Sequence, residues 1–159
     1  MKKYRLTTTL ALLKKHHACA DGYRKLVESL STKWPDDKPI NLLLVLKSNG
    51  VQDMCWRFRA TVEDSTIPRI LIAADFAESV LKYFTAKHPN DDRPAKAIQA
   101  VRHFAAGEIS LQDCRNAAAY AAAYAAAYDA AYAAAYAAYA AAREKERKKQ
   151  ARIIRKWLK

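Results

Sequence analysis

Residues 117–142 read AAAYAAAYAAAYDAAYAAAYAAYAAA, and no other stretch restricts the fold as tightly. Of these 26 residues, 19 are Ala and six are Tyr (Tyr120, Tyr124, Tyr128, Tyr132, Tyr136, Tyr139), with Asp129 the only charge. Ala loses no side-chain entropy in a helix, and neither Gly nor Pro occurs after Gly107, so the stretch predicts a helix. A Tyr at every fourth residue advances about 400° per step, so the row of rings drifts by about 40° each time. The rings wrap part of the cylinder and methyl groups cover most of the rest. A helix apolar on nearly every side is stable when other helices surround it. Small Ala side chains let neighbours approach, and each Tyr fills a gap while keeping a hydroxyl for a polar partner. The expectation is an all-α, single-domain helical bundle over residues 1–159, built around this helix.

A membrane span has the right length, since about 20 apolar residues suffice. Ala is only weakly apolar, Tyr prefers the interface, and Asp129 mid-run costs a few kcal/mol, so no span is expected. Low-complexity disorder is disfavoured because poly-Ala with aromatics four residues apart favours helix.

A chain of 159 residues is long enough for a real core. No N-terminal apolar run reaches signal-peptide length. Cys19, Cys55 and Cys114 are odd in number and far apart, which fits neither a disulfide framework nor a CxxC metal site. A reducing cytoplasm is the expected compartment. The net charge of +12 is concentrated at the ends. Residues 1–33 carry +6, residues 34–116 balance, and residues 117–159 carry +6. Basic ends point to an acidic partner: a protein surface, a nucleic acid or an anionic membrane.

Along the chain, Thr7 to Thr9 offer caps for a first helix through Leu10, Leu12, Leu13 and His17. A second helix runs from Cys19 or Ala20 to Leu30, burying Tyr23, Leu26, Val27 and Leu30. Gly22 weakens it, and one bent helix is an alternative. Pro39 suits the first position of a short apolar helix over Ile40 to Lys47, stopped by Asn49-Gly50. The apolar run also suits a buried strand, but no partner strand is evident. Thr66 and Pro68 open a helix from Arg69 to about Lys87, with Ile70, Leu71, Ala74, Ala77, Leu81 and Phe84 at helical spacing. Asp91-Asp92-Arg93-Pro94 starts another, ended by Gly107. Ser110 and Asp113 form an approximate capping box for the last helix.

Unbroken from Leu111 to Leu158, that last helix would extend roughly 70 Å at about 1.5 Å per residue. A compact chain of this size has a radius of gyration of about 15 Å. Either residues 143–159 project as a basic tail or the chain bends between Ala142 and Lys149. Ile153, Ile154, Trp157 and Leu158 are expected to dock on the protein with the basic residues outward; the alternative is contact with a partner or a lipid surface.

Several strings resemble a known family. NGVQDMCWRFRA, ADFAESVL, HPNDDRPAKAI, the Gly107 turn, the Ala/Tyr run and EKERKKQARII together are similar to the putative immunity proteins of prokaryotes and phages. The resemblance covers about residues 6–158 and rests on Asn49, Gly50, Asp53, Trp56, Arg59, Asp75, Glu78, Asp91, Asp92, Arg93, Pro94, Ile98 and Gly107. Gln52 replaces a frequent acid, and Ser79 and Ala95 replace frequent bases. The resemblance implies an all-α binding protein without catalysis, a phage- or bacterium-borne inhibitor of a toxin or defence effector.

The residues agree with a non-enzymatic reading. Asp75 and Glu78, three apart on one helix face, with Asp91, Asp92 and Arg93, have the makings of an acid–base or metal cluster. They are expected to be structural, as helix caps and ion pairs facing Arg59 and Arg93, because no nucleophile or third ligand accompanies them. His16-His17, His88 and His103 match no metal spacing, so no metal, cofactor or catalytic residue is expected. The partner-binding candidates are Lys145, Arg147, Lys148, Lys149, Arg152, Arg155, Lys156 and Trp157, facing an acidic patch on a protein. Trp34, Trp157 or an exposed Tyr would be the anchor. Nucleic acid is the second partner class, held by the same basic helix, although Glu144 and Glu146 dilute its charge.

Overall fold

The computed structural model describes residues 3–30, 33–119 and 140–158. The chain divides into two compact units, residues 1–69 with 147–159, and residues 70–146. The described residues are mostly α-helical, with one two-stranded antiparallel pair of two residues each. Within the Ala/Tyr stretch, 117–119 and 140–142 are helical. Residues 120–139, and with them the expected central position of that helix, lie outside the described residues.

The first unit opens on three buried threonines. Thr7–Thr8 forms β1, paired antiparallel with β2 (Ile40–Asn41). A polar strand inside a core must satisfy its hydroxyls, and this one does. The Thr8 hydroxyl donates to the Ala60 carbonyl at 2.6 Å, and the Thr7 amide and hydroxyl donate to the Glu63 carboxylate at 2.6 and 2.9 Å. Thr9 then caps α1 (Leu10–Lys15), its Oγ1 accepting from the Leu12 amide at 3.1 Å. A left-handed His17 (φ 57°) separates α1 from α2 (Ala20–Ser29), so two helices form rather than one bent one. Leu26 is buried on α2, but Val27 is 40% exposed, against expectation. A helix that packs one narrow face turns the position after an inward Leu about 100° away from the core.

The apolar run is helical, as α3 (Leu42–Asn49), but it begins two residues later than Pro39 suggests. Asn41 is the cap, its Oδ1 accepting from the Leu43 amide at 2.8 Å, and Ile40–Asn41 have already found a strand partner in Thr7–Thr8. Gly50, at φ 87°, breaks the chain into α4 (Val51–Trp56), followed by a 3-10 turn, Arg57–Arg59. Leu6, Leu10, Leu13, Leu26, Ile40, Leu42, Val45 and Met54 fill the core. Ile154 and Trp157 of α8 (Ala140–Trp157) and the following Leu158 are buried as well, while Ile153 is partly exposed. The Tyr4 amide donates to the Trp157 carbonyl at 2.8 Å, and Tyr4 bridges Leu158 in a parallel sense.

α5 (Thr66–Thr85) starts at Asp64, whose Oδ1 accepts from the Thr66 amide at 2.9 Å, and most of its length belongs to the second unit. There it buries Leu71, Ile72, Ala74 and Asp75. α6 (Arg93–Ala106) carries Pro94 in its first turn, where the missing amide costs nothing, and ends at left-handed Gly107 (φ 79°). Ser110 and Asp113 form the reciprocal box at the start of α7 (111–119). The Ser110 hydroxyl accepts from the Asp113 amide at 3.2 Å, and the Asp113 carboxylate accepts from the Ser110 amide at 3.3 Å.

Candidate functional site

In the first unit, Asn49 and Asp53 of the Asn-Gly…Trp stretch meet a residue that the sequence does not single out. Arg57 is buried, with its side chain 2% exposed. Its Nη1 donates to the Asp53 carbonyl at 3.1 Å and its Nη2 to the Gly22 carbonyl at 3.4 Å, while the Asp53 carboxylate lies 3.7 Å away. Asn49 Nδ2 closes the group by donating to the Gly22 carbonyl at 2.7 Å and to Asp53 Oδ2 at 2.8 Å. Burial lowers the Arg57 pKa and the Asp53 charge opposes that shift. A Cβ on Gly22 would lie 2.6 Å from Asp53 Oδ2, so a larger residue here would displace that carboxylate. Arg57 Nε is buried with no hydrogen-bond partner. The group ties α2 to α3 and α4, and the Cys19 sulfur lies beside Gly22.

Arg59 is exposed and lies over the Trp56 ring, its guanidinium 5.2 Å from the centroid. The cation facing Asp75 and Glu78 is Arg102 of α6, whose Nη2 is 2.8 Å from Asp75 and 2.6 Å from Glu78. Asp75 and Glu78 share a face of α5 as their spacing implies, and Asp75 is buried against this pair. Asp91 binds Arg93 through both carboxylate oxygens, at 2.8 and 2.6 Å. The Arg93 side chain and then its amide hold the Asp91 pKa down to about 2. Asp92 pairs with Lys96 at 2.9 Å. These four acids are ion-pair partners, and Asp91 also accepts from the Arg93 amide at the start of α6. The loop between α5 and α6 forms an open cleft lined by Lys87, His88, Asp91, Asp92, Arg93 and Lys96.

Among the described residues, no group of three or more His, Cys, Asp or Glu is placed to hold a metal, and no helix is long and apolar enough to cross a membrane. His103 pairs with Glu108 beside the Gly107 turn. Burial pushes the Cys55 thiol pKa up, away from reactivity.

On α8, Lys145, Arg147, Lys148, Arg152, Arg155 and Lys156 are exposed and Lys149 is half-buried. Trp157 is only 7% exposed, so its ring packs into the first unit, while the Lys156 ammonium stays over it at 5.2 Å from the centroid. Trp34 is half-buried and carries Lys38 over its ring at 4.0 Å. The division into units also divides the charge. Residues 1–69 with 147–159 hold 20 basic and 7 acidic residues, or +13, whereas residues 70–146 hold 8 and 9, or −1.

A family model described as Imm-5 like putative immunity protein matches residues 69–144, just under half of the chain. This is the kind of family that the motifs resemble, and Asp75, Glu78 and Asp91 to Pro94 fall inside the match. Asn49 to Arg59 fall outside it. No curated protein and no solved structure matches the chain. The matched residues nearly coincide with the second unit.

Proposed function

We propose that a chain similar to immunity proteins through residues 69–144 works as one: a non-enzymatic protein that binds and blocks a protein partner, a toxin or a defence effector. The observation that carries this reading is the family match, because it nearly coincides with a compact unit of the structure. Asp75, Glu78, Asp91 and Asp92 of that unit are engaged by Arg102, Arg93 and Lys96, which supports binding rather than proton transfer. Within the matched residues, Val80, Tyr83 and Leu111 are large apolar side chains left exposed, the material from which interface anchors are made. The cations of α8 are the second proposed contact, for an anionic partner, and the burial of Trp157 leaves them without the aromatic anchor expected from the sequence.

The test is capture of partners by the full chain from its native host, read by mass spectrometry. One protein is expected to be enriched, and Tyr83→Asp is expected to weaken it at least tenfold without lowering the melting temperature. The reading fails if purified candidate toxins or effectors keep full activity in the presence of excess protein.

A further inference from the structure

We infer that the first unit carries a binding face for the phosphate backbone of nucleic acid, assembled from the two ends of the chain. In sequence the basic ends are separate; in the fold they meet. Tyr4 is hydrogen-bonded to Trp157 and bridges Leu158. Around that joint, extended residues alternate sides. Leu6 is buried and Tyr4 half-buried, whereas Lys3 and Arg5 are exposed. α8 does the same with helical period: Ile154, Trp157 and Leu158 turn inward, and Arg152, Arg155 and Lys156 face water. Lys3 and Arg5 flank Tyr4 at this joint and are exposed as Arg155 and Lys156 are, and residues 147–159 contain no acidic side chain to dilute the charge.

The chemistry of the face selects its ligand. A membrane surface is held by several apolar groups that insert alongside the charges, and α8 keeps Ile154 and Trp157 in the core with Ile153 partly exposed. A protein interface needs a desolvated centre with aromatic or aliphatic anchors. This face offers charge without an anchor, which suits a regular row of phosphates neutralised with release of counterions. With Trp157 buried, no aromatic ring on α8 is available to stack on bases, so binding is independent of sequence. Five cations at the joint, Lys3, Arg5, Arg152, Arg155 and Lys156, predict a slope of log K against log salt of about −4 to −5 on duplex DNA. This function goes beyond the blocking of a protein partner and does not depend on it.

The experiment is fluorescence anisotropy of the full chain with a labelled duplex of arbitrary sequence across a NaCl series. Wild-type protein is expected to bind at low salt with that slope. K3E/R5E and R152E/R155E are each expected to lose at least tenfold in affinity at low salt and to flatten the slope by about two. The charge-conserving K3R/R5K is expected to bind as wild type. K87E/K96E in the second unit makes the same change in net charge and is expected to leave binding unchanged. No binding at low salt overturns the inference. So does an unchanged affinity in K3E/R5E, or an equal loss in K87E/K96E, which would assign the effect to net charge alone. Competition by poly-glutamate as effective as that of DNA at equal charge would overturn it in favour of an acidic protein surface. Partner capture through Tyr83 of the second unit is read independently of these first-unit variants, so the two functions fail separately.

Discussion

At the scale of residues, the buried guanidinium of Arg57 makes the most discriminating claim. It is held by two carbonyls and by one carboxylate at 3.7 Å, with Nε unpartnered. Removing Asp53 leaves a buried cation without its counter-charge, so Asp53→Ala is expected to cost about 3 kcal/mol in urea unfolding. Arg57→Met removes the charge and keeps the packing, and should be close to neutral. Equal losses from the two changes would show that the carboxylate does not compensate the guanidinium. Asp91 makes a second claim. Its folded pKa is depressed, so the stabilisation is present above the unfolded value near 4 and is lost as pH falls through about 2. NMR titration should find its midpoint near 2 and Arg93→Met should return it to the ordinary carboxylate range. Local partnerships of this kind were legible: Asp91-Asp92-Arg93-Pro94 announces a helix start, and Ser110 with Asp113 a box. Arg57 was not, since a charged residue beside Trp56 and Phe58 reads as surface until the fold encloses it. Nor was Arg102, because its contact with Asp75 spans 27 residues and local spacing carries no trace of it.

At the scale of elements, caps and periodicity fixed the positions of most helices. α3, α5 and α6 follow from Gly50, Thr66 and Pro94 with Gly107, each acting through backbone geometry that the residue itself imposes. Ser110→Ala should therefore cost α7 about 1 kcal/mol, seen as faster amide exchange over 111–119. The pairing of Thr7–Thr8 with Ile40–Asn41 was not legible, because two residues are too few to show an alternation. Its three threonines look like a choice of helix caps, and only Thr9 serves as one. α8 is the element whose two faces do different work. Trp157→Ala should cost about 3–5 kcal/mol and expose the C-terminal turn to exchange, whereas substitution of Arg155 by Gln should leave stability unchanged. A Trp157→Ala protein as stable as wild type would mean that the tail is not part of the core.

At the scale of the whole molecule, the separation of charge is the main result. One unit carries +13 and the other −1. Like charges oppose compaction and salt screens them, so the two units should respond differently to ionic strength. Hydrogen exchange is expected to show protection over α1 to α4 rising with added NaCl, with α5 and α6 nearly insensitive. A parallel response in both units would show that the charge is too dispersed to matter. The sequence displays the basic ends but not their meeting, since the Tyr4–Leu158 bridge joins residues that no local pattern relates. The match to immunity proteins and the basic face thus fall in different units, and a single chain can carry both tasks.

Because residues 147–159 complete a unit whose remainder is residues 1–69, that unit cannot close while the ribosome is still making the segment between them. At about 5–20 residues per second the delay is about 4–15 s, during which Leu6, Leu10, Leu13 and Leu26 lack Ile154 and Trp157 as core companions. The segment synthesised in the interval is the one resembling immunity proteins, so it is free to mature first, and the earliest residues to emerge are among the last to settle.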